Sequence, residues 1–219
     1  MRNSINTLRT IIIMITIFSA QSCSDNSELI EQDKSCLIAS GPEISQIRQR
    51  SHEERCQRLI HIMKFNEDVS LWTERDMFIA EHLEYVQELS ELSGIPSSII
   101  MAQAIIESKH GTSALSEASN NLFGLKCFKK NCSDSHCVIW KDDRPDDRFL
   151  KFDHSCQSFE GHRRCLEKSR YSDLFDIDKE NYQAWAFGLK ACGYATNKKY
   201  ATTIISVIKK HYLYQIDSF

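Results

Sequence analysis

One stretch of the sequence combines residue types that could carry out acid catalysis. Residues 99–106 are apolar apart from Gln103, and Glu107 follows them directly. The segment 94–98 (Gly-Ile-Pro-Ser-Ser) predicts a helix start, because proline is tolerated in a first turn and serine can cap. His110-Gly111 predicts the helix end within a turn. Gln103 and Glu107 would then share one face of a buried helix.

A carboxylate at that position is poorly placed as a charged group. The C-terminal end of a helix dipole disfavours negative charge, and apolar surroundings disfavour ionisation. Both effects favour a protonated carboxylic acid, which can donate a proton to a leaving oxygen. Glu107 is therefore a candidate general acid; for the residue alone, a solvent-exposed glutamate at a helix end is the alternative interpretation.

The elements that must position Glu107 are mostly helical. Apolar residues recur at helical spacing between residues 76 and 93, ahead of the helix that carries Glu107. Residues 138–140 and 148–152 predict two short strands around a turn at 142–145. Two further helices are predicted at 182–190, which places Trp185 in the core, and at 201–212. The pattern indicates a mainly α domain with a small β lobe.

The N-terminal residues 1–22 predict an export signal. Arg2 and Arg9 flank the start, residues 11–18 are apolar, and small residues follow at 19–22. The apolar run is too short for a comfortable membrane span. The Ser22-Cys23-Ser24-Asp25 junction resembles the lipid-attachment site of bacterial lipoproteins, with Cys23 as the modified residue. Ala20 stands where leucine is usual, so cleavage by an ordinary signal peptidase is the alternative.

Export determines how the nine cysteines are interpreted, because an oxidising compartment favours disulfides. If Cys23 carries lipid, an even set of eight remains, with 105 formal pairings. Cys36 and Cys56 are candidates to tie together the polar segment 23–70, which we interpret as a tether with an accessory segment. Residues 127–137 carry three cysteines and His136, so a structural zinc site is the alternative there. We expect disulfides, no metal and no cofactor.

Several motifs resemble the bacterial peptidoglycan glucosaminidases of glycoside hydrolase family 73. They occur in the family's order from about residue 76 to 213: residues 102–108, 111–113, 120–126, 182–186, 193–197 and Tyr200. The resemblance implies a lysozyme-like helical domain, here residues 71–219, with a β-hairpin lobe flanking a glycan cleft. It also implies hydrolysis of a β-1,4 bond after N-acetylglucosamine.

The resemblance assigns roles to particular residues. Glu107 matches the family's catalytic acid. The second carboxylate belongs to the β lobe, where Asp147 matches best and Asp142 and Asp143 are rivals. A solvated acidic turn is the alternative for each of these aspartates.

Four further residues are predicted to bind substrate: Tyr194, Gln103, Asn121 and Phe123. Tyr194 matches a family tyrosine near the cleft, whereas Asn121 and Phe123 are better placed to shape the loop below the acid. Lys109 and His110 depart from the glycine and tryptophan of many relatives. Residues 150–152 lack the arginine and tyrosine with which this segment usually ends in the family. These departures affect substrate detail rather than reaction class.

The resulting prediction is an exported peptidoglycan hydrolase, in the periplasm or on the outer membrane as a monomeric lipoprotein. Its partners would be glycan strands and, through Cys23, the membrane. A net charge of -3 argues against nucleic acid. Two alternatives remain, a lytic transglycosylase and an inactive peptidoglycan-binding module, although the intact Glu107 argues against the second and the Tyr194 motif against the first.

Overall fold

The fold is mainly helical. The structure, a computed structural model, describes residues 52–128, 132–133, 135–142 and 145–218. The helices, in chain order, are α1 (His52–Met63), α2 (Glu74–Ser93), α3 (Ser97–Ser108), α4 (Ala114–Ser119), α5 (Ser155–Leu166), α6 (Tyr182–Ala191) and α7 (Tyr200–Lys210). Shorter 3-10 turns lie at Val69–Leu71, Ser169–Asp176 and Leu213–Ile216. Among the described residues, no helix has the length and apolar character needed to span a membrane.

Helix α3 lies at the centre of the packing. Each residue from 97 to 105 is buried, and the helix packs against α2, α6, α7 and the C-terminal 3-10 turn. Fully burying a large aliphatic side chain such as Ile99 or Met101 contributes about 1.5–3 kcal/mol. The predicted burial on all sides is confirmed, and it fixes the position of the helix that carries Glu107.

The start of α3 differs from the prediction. Pro96 is the N-cap residue and makes no side-chain capping bond. The cap comes from the far end of the chain, where Asp217 accepts hydrogen bonds from the backbone N–H of Ser98 at 2.7 Å and from its hydroxyl at 2.6 Å. A carboxylate at a helix N-terminus satisfies an otherwise unpaired donor and interacts favourably with the dipole.

We therefore expect Asp217→Ala to destabilise the protein by about 1–2 kcal/mol, because it removes the cap and leaves the buried Ser98 N–H without an acceptor. Asp217→Asn keeps one acceptor oxygen and should lose less. Thermal unfolding of both variants beside Ser218→Ala, a change at an exposed neighbour, measures the effect. An unchanged Tm for Asp217→Ala would contradict the capping role.

Helices α1 and α2 join the same core. Thr73 and Asp76 form a capping box at the start of α2, and Gly94, with φ 76°, ends it. The helix begins two residues before the predicted start. Leu59 and Met63 of α1 are buried within the core cluster that contains α2 and α3. The domain boundary at residue 70 stays a prediction, but helix α1 packs with the helices that follow it.

The β lobe is a hairpin of β1 (Cys137–Ile139) and β2 (Arg148–Leu150), paired antiparallel with Cys137 opposite Leu150. Residues 125–127 run along the other edge of β2, through bonds from Leu150 N to Leu125 O at 2.9 Å and from Cys127 N to Arg148 O at 2.8 Å. The two predicted strands are confirmed in place, although β1 begins one residue earlier and β2 ends two residues earlier.

Three cysteines converge beside this hairpin. The Sγ atom of Cys137 lies within bonding distance of those of Cys127 and Cys132. The Cys127 and Cys132 sulfurs are themselves 3.4 Å apart. Because one sulfur forms one disulfide, a single pair leaves the third as a thiol. Among the described residues, Cys192 carries no disulfide. Cys23 and Cys36 lie outside the described residues.

Candidate active site

Glu107 lies in the last turn of α3, and the residue as a whole is partly buried. The Oε1 atom is fully enclosed and has no hydrogen-bond partner among the described residues. Burial raises the pKa of Glu107 to about 8. The carboxyl group is therefore protonated at neutral pH, which is the state that a proton donor needs.

The backbone turns sharply after Glu107. Lys109 and His110 have φ angles of 52° and 54°, and Gly111 follows with 81°. The helix thus ends at Ser108, within a turn of the His110-Gly111 pair as predicted, because the left-handed backbone at Lys109 cannot continue an α-helix. The Ser108 hydroxyl accepts from Gly111 N at 2.7 Å and stabilises the turn. The turn leaves Glu107 at the rim of the helical core.

Two buried tyrosines lie near Glu107. Gln103, one turn earlier on α3, donates from Nε2 to the Tyr200 hydroxyl at 2.7 Å. The rings of Tyr200 and Tyr194 are 5.3 Å apart. Burial raises the pKa of both tyrosines well above the usual range, and Glu107 in its ionised form adds to this. The two phenols therefore stay neutral hydrogen-bonding groups beside the acid.

Tyr194 is held in turn by His162 of α5. The His162 Nε2 atom lies 3.2 Å from the Tyr194 hydroxyl oxygen. The imidazole stacks on Phe123, with centroids 4.1 Å apart and planes 15° apart. Burial lowers the pKa of His162 to about 3, so the ring is neutral under ordinary conditions. The Tyr194 ring meets His162 edge-on, with centroids 6.1 Å apart, so Phe123, His162 and Tyr194 form one buried aromatic cluster.

Asn121 joins the helical part to the β lobe. Its side-chain amide donates to the Leu125 and Leu150 carbonyls at 2.9 Å, and its Oδ1 accepts from Leu125 N at 2.9 Å. Asn121, Gln103 and Phe123 are buried, and their partners are internal. Contact of these residues with substrate stays a prediction. In the structure, Asn121 stabilises the loop and Gln103 holds Tyr200.

The β-lobe carboxylates converge on one lysine. The Lys126 ammonium lies 2.8 Å from Asp147 Oδ2 and 3.1 Å from Asp142 Oδ2, above the Phe149 ring. Burial lowers the pKa of Lys126, but the bonds to these carboxylates outweigh that effect and raise it. Lys126 therefore stays charged and fixes both carboxylates at the β2 side of the lobe. Asp143 lies outside the described residues.

The structure thus groups the predicted residues into two sets. Glu107, Gln103 and Tyr194 belong to the helical set, and Asp147 with Asp142 forms the β-lobe set. His162 and Lys126 were not predicted to have a role at the site. His162 occurs at helical spacing with Phe159 and Leu166, which is the pattern of a core position. Lys126 directly precedes a cysteine-rich loop, and no local pattern pairs it with the aspartates.

The fold and the motifs agree with one family of hydrolases. The sequence profile of the glucosaminidase family, described as mannosyl-glycoprotein endo-beta-N-acetylglucosaminidase, matches residues 83–213. The chain belongs to this family. The match covers Glu107, the β lobe and Tyr194, so the candidate site lies within the glucosaminidase region.

Curated relatives include the exo-glucosaminidase LytG of Bacillus subtilis, 30% identical over 172 residues, which cover 72% of this chain and 58% of LytG. The peptidoglycan hydrolase FlgJ of Vibrio cholerae is 25% identical over 152 residues, covering 61% of this chain and 42% of FlgJ. The chain thus spans about half the length of these two relatives.

Solved structures support the fold of this glucosaminidase-family chain. The catalytic domain of the autolysin Auto from Listeria monocytogenes superposes with a TM-score of 0.57 at 24% identity, covering 77% of this chain and 98% of that one. The glycoside hydrolase domain of FlgJ from Salmonella typhimurium gives 0.50 at 25% identity, covering 64% and 88%. The predicted lysozyme-like fold is confirmed.

Proposed function

We propose that this chain is an exported glycosidase that hydrolyses the β-1,4 bond after N-acetylglucosamine in peptidoglycan, with Glu107 as general acid. The observation that carries the proposal is the enclosed Glu107 carboxyl group, whose pKa is raised by burial to about 8. A protonated acid at neutral pH can protonate the leaving glycosidic oxygen. The names of the relatives, a glucosaminidase and a peptidoglycan hydrolase, support the substrate class.

Asp147 is proposed as the second carboxylate. Its side chain is the less exposed of the two that bind Lys126, at 14% against 28% for Asp142. A carboxylate in this lobe could activate water or stabilise an intermediate assisted by the substrate's acetamido group. Carboxyl separations of about 5–5.5 Å accompany a protein nucleophile and about 6.5–9.5 Å an inverting reaction. A complex with a glycan fragment would supply the separation that decides between them.

Digestion of purified peptidoglycan tests the reaction class. Reducing N-acetylglucosamine ends, identified by mass spectrometry, are expected. Anhydro-muramic ends would instead establish a lytic transglycosylase, and no release of fragments would favour an inactive binding module.

An exo-acting enzyme is a second candidate, since the relative LytG is named an exo-glucosaminidase. The size of the early products separates the two modes of attack. An endo-acting enzyme releases long glycan fragments first, whereas an exo-acting enzyme releases short products from the start.

We also propose that Cys23 carries a lipid anchor. Wild-type protein should fractionate with membranes, whereas Cys23→Ala should be released or remain unprocessed, because residues 11–18 are too short for a comfortable span. Cell fractionation followed by detection of both forms measures this, with Cys192→Ala as a cysteine control. Equal membrane association of wild type and Cys23→Ala would exclude the anchor.

The cysteines outside the lipid site, apart from Cys192, are proposed to form disulfides. The short Sγ separations at Cys137 and the disulfide bonding of Cys156 and Cys165 support this. The same three sulfurs of Cys127, Cys132 and Cys137 could hold a metal ion. Metal analysis of unreduced protein discriminates: one tightly held zinc per chain would contradict the disulfide assignment of this loop.

A further inference from the structure

His162 is a buried polar side chain that the proposed acid chemistry does not itself require. It is 1% exposed, and its Nδ1 atom has no hydrogen-bond partner among the described residues. A buried polar atom without a partner costs about 1–3 kcal/mol, so a phenylalanine would be the cheaper occupant of a purely apolar site. Among the described residues, the His162 side chain has one hydrogen bond, between Nε2 and the Tyr194 hydroxyl, and this bond is the feature to explain.

Burial keeps the imidazole neutral, so one ring nitrogen carries a proton and the other accepts. If Nδ1 carried it, a buried N–H would lack an acceptor, and the Tyr194 hydroxyl would have to donate to Nε2. If Nε2 carries it, the imidazole donates to the Tyr194 oxygen. The hydroxyl proton of Tyr194 then remains available to another acceptor. Tyr194 packs against Tyr200, which is hydrogen-bonded to Gln103 one helical turn before Glu107.

We propose that His162 is a positioning residue that donates from Nε2 to Tyr194 and thereby presents the Tyr194 hydroxyl as a hydrogen-bond donor beside Glu107. This inference rests on the proposed function. Phe123 fixes the imidazole plane by stacking at 4.1 Å, so the direction of the Nε2–H bond is set by packing rather than by solvent. The acceptor would be the acetamido carbonyl oxygen of a substrate sugar, or the attacking water.

Two substitutions separate this role from packing. His162→Phe keeps an aromatic ring for the Phe123 stack but cannot donate, and His162→Gln offers an amide N–H near the position of Nε2. We expect His162→Phe to lower kcat by roughly 10–100-fold with KM changed less than about threefold, and His162→Gln to recover most of that loss. Tyr194→Phe, which removes only the hydroxyl, should lose a similar factor.

The double variant His162→Phe/Tyr194→Phe provides the decisive comparison. If His162 acts through the Tyr194 hydroxyl, the double variant is no slower than Tyr194→Phe alone, because the two changes remove one interaction. Multiplicative losses would overturn the proposal, and so would full activity of His162→Phe. If His162→Phe does not fold, His162→Leu, which also cannot donate, combined with Tyr194→Phe gives the same cycle.

His82 is a matched control for burial. It is a buried histidine of α2 whose Nδ1 bonds the Phe78 carbonyl at 2.9 Å and whose ring lies 5.2 Å from Phe159. His82→Phe should change Tm but leave kcat within about twofold, since the Tyr194 hydroxyl is untouched. Inactive wild-type protein would refute the proposed function, whereas active wild type with unaffected His162 variants would refute this inference alone.

Discussion

Replacing Glu107 by Gln is expected to abolish nearly all hydrolysis while the protein stays folded. The amide keeps the shape of the carboxyl group but has no proton to donate to the glycosidic oxygen. General acid catalysis contributes about 10²–10⁴-fold, so kcat should fall by at least that order. Rates on one preparation of peptidoglycan, measured beside the exposed control Glu117→Gln, give the factor. Near-normal hydrolysis by folded Glu107→Gln would show that another residue is the acid.

The same substitution should have a pH signature in stability. Burial raises the pKa of Glu107 to about 8 in the folded protein, from the ordinary 4.5. Between these values the folded state keeps the proton and the unfolded state releases it, so wild-type stability falls as pH rises through this window. Each pKa unit corresponds to about 1.4 kcal/mol, so the loss of unfolding free energy across this window is at most about 4–5 kcal/mol.

Glu107→Gln lacks this dependence, since its amide does not titrate. Its Tm should match that of wild type near pH 4 and exceed it increasingly toward pH 8. Wild-type activity should decline as pH rises through the pKa of the acid, because the ionised form cannot donate. A constant Tm difference across this range would contradict the raised pKa.

The second large effect is expected at Asp147. Asp147→Asn removes the charge but leaves an oxygen for Lys126, so the lobe should keep its structure. If Asp147 is the second carboxylate, kcat/KM should fall by about 10²-fold or more. Asp142→Asn is the matched control, since Asp142 binds the same ammonium at 3.1 Å from a more exposed position, and it should stay within tenfold of wild type.

Rates and Tm for Asp147→Asn and Asp142→Asn, measured on the same peptidoglycan, decide the assignment. Both variants should unfold within about 1 kcal/mol of wild type, because ion pairs of partly exposed groups contribute little. A greater loss of activity in Asp142→Asn would transfer the role to Asp142. Small losses in both would place the second group elsewhere and favour acetamido assistance from the substrate.

Local sequence was sufficient for the helix that carries Glu107 and for the hairpin, and it made Glu107 a candidate acid. The run ending at Glu107 is apolar on every side, so it predicts a helix buried all round, and the structure has α3 there. The hairpin was also predictable from local sequence, since two runs of strand-forming residues flank one turn within about fifteen positions. The family's motifs then singled out Glu107 as the candidate acid among thirty acidic residues, and the fold they imply is the one observed.

Tertiary structure decided what surrounds that candidate acid. The cap of α3 comes from Asp217, 119 residues after Ser98, and Gln103 meets Tyr200 across 97 residues. His162 and Tyr194 are 32 residues apart. Periodicity reports which face of an element is apolar, and a histidine on such a face has the same pattern as a core residue. Partners so far apart in the chain meet only when helices pack, so no local pattern specifies them.

The same limit applies to the β lobe. The sequence offers several aspartates in one acidic turn, and spacing alone does not rank them. The folded structure distinguishes them. The pairing of residues 125–127 with β2 places the Lys126 ammonium between Asp147 and Asp142, and Asp147 is both closer to it and less exposed. Composition and periodicity determined where a proton donor could be buried; the long-range contacts of the folded chain determined which polar groups surround it.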